Sequence, residues 1–187
     1  MPSPVGHTLA GLCGFMLAQN HVNIHRWGWF LVGSVVIANL ADLDFLPGML
    51  LGDLRTFHHQ ASHSLTAVVI VSLLISGLTK GCGLNRVALG IWGGVLYLSH
   101  IVLDLLVNDP SPPFGVQFLW PFSETYFISP ITPFASFDYF NPTIGILTSL
   151  LSVHNLNTII WETVLMTPLV GLAWYVGRYS SGRHFKR

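Results

Sequence analysis

Long apolar stretches with few charged side chains constrain this chain more than any other feature of its sequence. Four of them cover residues 27–45, 64–79, 84–107 and 156–177, and a weaker Gly- and Ala-rich stretch covers residues 5–20. A helix needs about 20 mostly apolar residues to cross a bilayer. Charged residues make up only 9% of the chain, whereas a soluble domain carries about 25%. The sequence therefore predicts an all-α, polytopic membrane helical bundle of about five spans, folded as a single domain over residues 1–187.

The segment between the last two stretches has a different composition. Residues 108–142 contain seven prolines and many aromatic side chains. Proline at this density excludes a continuous helix, and aromatic side chains favour the membrane–water interface. We predict an irregular Pro- and aromatic-rich lid loop across one end of the bundle, followed by a short interfacial helix within residues 143–153.

The basic residues predict an orientation. With five alternating helices, Arg55 falls on one side of the membrane and the other seven fall on the opposite side, namely Arg26, Lys80, Arg86, Arg178, Arg183, Lys186 and Arg187. Lys- and Arg-rich loops face the cytoplasm. We therefore expect a multi-pass protein of the cell (inner) membrane whose His- and Asp-rich ends face the non-cytoplasmic side. The formal net charge of zero offers no basic field for nucleic acid.

His100 and Asp104 are the clearest candidates for a functional site. They lie four residues apart in an apolar stretch, a spacing that places both side chains on one helix face. An aspartate within a membrane span costs about 2.5–3.5 kcal/mol on insertion scales, so such residues are by default functional. Two interpretations fit this pair: both side chains bind one metal ion, or they form a hydrogen bond only with each other.

The segment FHHQASHSL adds three histidines before an apolar stretch. His59 and His63 have the helical chelate spacing of four, whereas His58 reaches the same ion only from a loop that precedes the helix. Ser62 is the predicted N-cap of that helix. The alternative is that these three histidines lie in a loop at the membrane interface and bind no ligand.

Asp42 and Asp44 lie two residues apart at the end of another stretch. They can face one cation if the helix ends there, and Pro47-Gly48 predicts such an end. A solvated helix end is the alternative. His7 opens the first stretch and is a further candidate, although taken alone it fits an interfacial histidine.

Together these residues predict a divalent metal site. Imidazole and carboxylate suit Zn²⁺, with Mn²⁺ or Fe²⁺ as alternatives. The candidate ligands are His7, Asp42, Asp44, His58, His63, His100 and Asp104. A bound ion activates water, and a carboxylate that does not bind the ion can act as general base. Asp42 and Asp44 are therefore also candidates for this catalytic role. The rival functions are non-enzymatic metal or ion handling or transport, and a scaffold with a purely structural polar cluster.

The order and spacing of these elements resemble the YdjM-type family of inner-membrane metal-dependent hydrolases. The matching elements are His7, Asp42-Leu43-Asp44, the segment from His58 to Ser64, His100 with Asp104, and Gly115 through Trp120-Pro121. The resemblance implies a metal-dependent hydrolase and selects His58 as the ligand. Where the family has Arg-Gly, this chain has His59-Gln60, so His59 becomes a catalytic-site candidate for contact with an anionic substrate.

A site at the membrane interface meets lipid first. We therefore predict membrane lipid, or another hydrophobic or lipid-linked molecule, as the substrate, with a lipid phosphoester as the bond hydrolysed.

Overall fold

The computed structural model describes residues 1–21, 26–51, 58–80, 84–110, 113–139 and 145–181. The chain is mostly helical, as predicted. Its helices are α1 (Pro4–Ala18), α2 (Trp27–Ala38), α3 (Phe45–Leu51), α4 (Leu65–Leu78), α5 (Arg86–Leu105), α6 (Ile146–Leu150) and α7 (Val153–Ser181). Two short 3-10 helices, Leu40–Asp44 and Ala61–His63, precede α3 and α4. Strands β1 (Val107–Asn108) and β2 (Phe134–Ala135) form one small parallel pair.

The lengths of the helices do not support five membrane spans. Among the described residues, α5 and the segment Ile146–Tyr179 are long and apolar enough to cross a membrane, and α2 with Leu40–Gly48 is a third candidate that is bent by 56°. Helix α1 has 15 residues and α4 has 14. At a rise of about 1.5 Å per residue they reach only about 20 Å, which is less than the hydrocarbon thickness of about 30 Å. The described part of the chain thus has two to three candidate spans, and the prediction of about five is not supported.

Helix α2 ends earlier than the sequence predicts. It ends at Ala38, because the Asn39 side chain donates to the Val35 carbonyl oxygen (2.8 Å) and to Thr8 Oγ1 on α1 (3.3 Å). An Asn side chain that binds backbone carbonyls in this way competes with the helix ladder. Pro47, the predicted stop, instead lies in the first turn of α3, where proline is tolerated.

The start of α4 also differs from the prediction. Ser64 is its N-cap, since the Ser64 hydroxyl accepts a hydrogen bond from the Ala67 amide (3.2 Å). Ser62 lies inside the preceding 3-10 helix and donates to Asp44 Oδ2 (2.6 Å). The 3-10 turn therefore moves the cap two residues along the chain and leaves the Ser62 hydroxyl free to contact an acidic residue.

Glycines allow the helices to approach closely. A Cβ at Gly11 of α1 would lie 2.8 Å from the Ser34 carbonyl oxygen of α2, and one at Gly90 of α5 would lie 2.6 Å from the Ser72 carbonyl oxygen of α4. Small residues at helix contacts are typical of membrane bundles, where close packing, and not the hydrophobic effect, stabilises the association of helices. These contacts hold α1 close against α2 and α4 close against α5.

The Pro- and aromatic-rich loop packs across the end that carries the histidines. The Gln117 amide donates to the His59 carbonyl oxygen (2.9 Å), and the Leu65 amide donates to the Phe118 carbonyl oxygen (2.9 Å). The pairing of β1 with β2 closes the loop beside the last turn of α5. The described part of the loop is therefore tied to the segment from which His58, His59 and His63 project.

The described basic residues lie at the opposite end of the bundle. They stand at the start of α2, the end of α4, the start of α5 and near the end of α7, and they are Arg26, Lys80, Arg86 and Arg178. The remaining four fall outside the described residues: Arg55, Arg183, Lys186 and Arg187.

Candidate metal centre

Residues from four parts of the chain converge at one end of the helices. His7 lies in the first turn of α1 and Asp42 and Asp44 lie on the 3-10 helix after α2, while His58, His59 and His63 precede α4 and His100 and Asp104 lie in the last turns of α5. Several groups of three among them have potential ligand atoms within 4.8 Å of one another. The structure therefore brings together every residue that the sequence predicts for the site.

Three buried side chains form what we call the inner triad: His63, His100 and Asp104. The Nε2 atoms of His63 and His100 lie 3.2 Å apart. Asp104 Oδ2 lies 3.1 Å from the His63 Nε2 and 3.2 Å from the His100 Nε2. No member is more than 2% exposed, so their charge must be balanced inside the protein.

Asp42 supplies a fourth atom to this group. Its Oδ1 lies 3.3 Å from His100 Nε2 and 3.9 Å from His63 Nε2. Five pairs among the four atoms are therefore 3.1–3.9 Å apart. In a tetrahedral zinc site, bonds of about 2.0–2.1 Å place ligand atoms about 3.3 Å apart. The inner triad thus fits a divalent ion in donor chemistry and in spacing, and Asp42 adds a carboxylate oxygen beside His100.

The other ring nitrogens of the two inner histidines have partners that orient the rings. His100 Nδ1 donates to the Ala38 carbonyl oxygen (2.8 Å), so in the neutral ring the lone pair is on Nε2. His63 Nδ1 lies 3.1 Å from Asp44 Oδ2 and 2.9 Å from Ser62 Oγ. Metal-binding histidines usually donate their second ring N–H to a carbonyl or a carboxylate in this way. Both Nε2 atoms are thus prepared to bind a cation.

Asp42, Asp44 and His58 form a second group, which we call the outer triad, with ligand atoms again within 4.8 Å. His58 Nδ1 lies 2.9 Å from Asp44 Oδ1. The His58 ring stacks on Phe45, with centroids 3.9 Å apart. The side chains of the outer triad are 9–15% exposed, so this group lies nearer to solvent than the inner triad.

His7 and His59 flank the two triads. The His7 ring stacks on His100 with centroids 3.7 Å apart, and the His59 ring lies 3.9 Å from that of His58. His59 has a positive φ of 66°, a left-handed conformation that is uncommon outside glycine. Both histidines therefore belong to the cluster, and His58 and His59, between which the sequence could not choose, are both within reach of His63.

Burial and the aspartates set the charge of the histidines before α4. Burial lowers the pKa of His58 and lowers that of His59 well below its usual value, which leaves neutral rings with a lone pair. Burial also acts to lower the pKa of His63, but hydrogen bonds with Asp104 and Asp44 outweigh it and raise this pKa. The aspartates thus favour a positive charge beside His63, which a bound divalent ion would supply while leaving the ring neutral.

Unpartnered atoms point to a ligand in this cluster. Buried atoms without a hydrogen-bond partner include both ring nitrogens of His7 and the Nε2 atoms of His58 and His59. Unsatisfied buried polar atoms are rare in native proteins and call for an explanation such as an ion. The residues present therefore fit a divalent metal ion.

Comparison with known families identifies the family of this chain. The family model described as YdjM inner membrane protein matches residues 1–180. The chain belongs to the YdjM inner membrane protein family. Comparisons with curated proteins and with solved structures give no match. Membership of YdjM and the apolar helices together make this a membrane protein whose His/Asp cluster can hold a metal ion.

Three contributors to this YdjM site were missed by the sequence analysis. Ser62 binds Asp44 Oδ2, the Tyr97 hydroxyl donates to the Ser62 carbonyl oxygen (2.8 Å), and the Ala38 carbonyl accepts from His100. Tyr97 lies three residues before His100 on α5, so helical spacing offered a signal for it. A backbone carbonyl such as that of Ala38 leaves no signal in the sequence.

Proposed function

We propose that this chain is a membrane-embedded, metal-dependent hydrolase that cleaves a phosphoester of a lipid or lipid-linked substrate. The observation that carries the proposal is the set of ligand atoms from His63, His100 and Asp104, which lie 3.1–3.2 Å apart, with Asp42 Oδ1 3.3 Å from His100 Nε2. These residues would hold the ion, with zinc first and manganese or iron as alternatives. A bound divalent ion supplies Lewis acidity, which polarises a phosphoryl oxygen and acidifies water.

Residues of the chain itself have distinct tasks in this proposal. Asp44 and the Ala38 carbonyl orient the rings of His63 and His100. Asp42 has a side chain that is 15% exposed, so it borders the open side of the site, where water and substrate would reach the ion. His59 is buried against His58. It could therefore contact only a part of the substrate that reaches into the cluster of histidines and aspartates.

The lid loop supports a lipid substrate. Its exposed apolar side chains include Phe114, Phe122 and Ile131, and Phe122 is 91% exposed. Aromatic side chains favour the membrane interface, and this loop is tied to the histidine segment. A substrate with its apolar part in the membrane would therefore meet the centre directly. The opposite placement of the basic residues supports a site on the non-cytoplasmic side.

A transporter is the rival proposal, and the structure offers it less support. Intramembrane relays need polar groups that continue through the membrane. Ser34 donates to the Phe30 carbonyl oxygen of its own helix (2.7 Å), and Asn39 binds the Val35 carbonyl oxygen. Both side chains are thus occupied within α2, and the described ionisable cluster lies at the end of the bundle.

Metal content and turnover test the proposed function together. Purified protein should contain a divalent ion and should hydrolyse at least one member of a panel of phospholipids and isoprenoid phosphates. His63→Ala and Asp104→Ala should lose both the ion and the turnover. His154→Ala is the matched control, because the described hydrogen bond of the His154 side chain goes to the Ser136 carbonyl oxygen and not to the cluster.

Two outcomes would contradict the proposal. One is a protein that takes up no ion from Zn²⁺, Mn²⁺ or Fe²⁺ solutions. The other is hydrolysis that persists at the wild-type rate in both His63→Ala and Asp104→Ala. Labelling of a cysteine introduced at Asp109 tests the orientation, since a reagent confined to the cytoplasmic side should not reach it.

A further inference from the structure

The cluster holds more ligands than one ion can use. A single zinc ion takes about four ligands, of which about three come from the protein in a catalytic site. The candidate groups here comprise five histidines and three aspartates: His7, His58, His59, His63, His100, Asp42, Asp44 and Asp104. The inner triad (His63, His100, Asp104) and the outer triad (Asp42, Asp44, His58) share no residue, yet each by itself presents three ligand atoms within 4.8 Å.

We infer that the centre is dinuclear, with one divalent ion at the inner triad and a second at the outer triad, and that Asp42 links the two. This inference rests on the proposed function and specifies the chemistry of that same site.

Contacts between the two triads are as short as those within them. Asp42 Oδ1 lies 3.3 Å from His100 Nε2, and Asp44 Oδ2 lies 3.1 Å from His63 Nδ1. Asp42 also belongs to a ligand group with His7 and His100. A carboxylate has two oxygens, so Asp42 can serve both groups at once. Paired catalytic ions share ligands in this way, because they lie about 3.5–4 Å apart.

The unpartnered atoms occur on both sides of this link. On the inner side they are the ring nitrogens of His7, and on the outer side they are the Nε2 atoms of His58 and His59. His59 is only 7% exposed, and its group with His58 and His63 again has ligand atoms within 4.8 Å. One ion at the inner triad would leave the outer nitrogens unsatisfied.

The charge of the cluster also favours two ions. Each ion pair described for Asp42, Asp44 and Asp104 is with a histidine. With neutral histidines, the three carboxylates carry a charge of −3. One divalent ion leaves −1, which would repel an anionic substrate, whereas two ions give +1. The second ion therefore makes the site attractive to a phosphoester, since buried charges interact strongly.

Manganese binding to the full chain in detergent or nanodiscs tests this inference without substrate. The protein is stripped with a chelator and reloaded with Mn²⁺, and bound metal per chain is measured together with the electron paramagnetic resonance spectrum. Wild type should bind two ions and give the spectrum of a spin-coupled pair. His58→Gln and Asp104→Asn should each bind one ion and give the spectrum of isolated Mn²⁺, while His154→Ala should behave as wild type.

Three results separate the possible failures. One ion per chain in wild type, with no change in His58→Gln, would overturn the dinuclear centre and leave the proposed function standing. No bound ion would overturn both. Two uncoupled ions, with both retained in His58→Gln, would show that the second ion lies elsewhere and would overturn the assignment to the outer triad. Thermal unfolding of each variant, compared with wild type, verifies that the substitutions leave the fold intact.

Discussion

Replacing Gly11 with alanine perturbs both the packing of α1 on α2 and the metal centre. The new Cβ would lie 2.8 Å from the Ser34 carbonyl oxygen, 3.0 Å from Val35 Cα and 3.1 Å from Ala38 Cβ. Two of these are backbone atoms, which cannot rotate away as a side chain can. Ala38 also provides the carbonyl that orients His100, so a shift of this backbone reaches the inner triad.

The structure sets the size of the effect. Ordinary contact begins at 3.4 Å, so α1 and α2 must separate by 3.4 − 2.8 = 0.6 Å. Overpacking of this kind costs about 1–3 kcal/mol, and the change from glycine to alanine inside a helix returns about 0.5–1 kcal/mol. Gly11→Ala should therefore destabilise the protein by up to about 2.5 kcal/mol. Gly33→Ala on α2, where a Cβ meets nothing within 4 Å, should stabilise it by the propensity gain alone.

Thermal unfolding in detergent, followed by the fluorescence of the six tryptophans, measures the difference. At about 2–4 °C per kcal/mol for a chain of this size, the midpoint of Gly11→Ala should lie about 2–12 °C below that of Gly33→Ala. The Kd for metal should rise about tenfold in Gly11→Ala only, as is typical when a group that orients a ligand is disturbed. A Gly11→Ala protein as stable as Gly33→Ala, with unchanged metal affinity, would refute the reasoning.

Two further substitutions probe other contacts. Asp44 accepts from Ser62 and contacts His63 at Oδ2, and it contacts His58 at Oδ1. Asp44→Asn replaces one of these oxygens with an amide group that cannot accept, so metal affinity by competition with a chelator should fall about 10–100-fold. Asp109→Asn, at a residue whose described side-chain partner is the Gly115 amide, should bind as wild type. Ser3→Ala removes the N-cap of α1 and the hydroxyl that donates to buried Glu162 of α7. The free energy of unfolding should therefore fall by about 1–3 kcal/mol. A decrease below about 0.5 kcal/mol would show that this contact does not stabilise the packing of α1 on α7.

The sequence predicts the site better than it predicts the helices. The spacing of His100 and Asp104 follows from helical periodicity alone, and these two side chains do meet, at 3.2 Å. The ends of α2 and α4 depend instead on Asn39 and Ser64. Asn39 ends α2 partly through a hydrogen bond to Thr8 on another helix, and such a tertiary contact is not visible in a local pattern.

The choice between His58 and His59 shows the same limit. Helical spacing favours His59 and the family resemblance favours His58, whereas the structure folds the segment as a turn and a 3-10 helix that present both rings to His63. The left-handed backbone at His59 makes this arrangement possible. Side-chain alternation rules apply to regular elements, so they cannot decide the direction of a ring in such a turn.

The short helices α1 and α4 have a consequence for the surrounding lipid. A helix that is shorter than the hydrocarbon layer is accommodated by local thinning of the bilayer. Both helices begin at the end of the bundle that carries the metal centre. Hydrophobic mismatch would therefore lower the head groups of nearby lipids toward the histidines. If the proposed function holds, this thinning of the membrane would bring a lipid phosphate closer to the site.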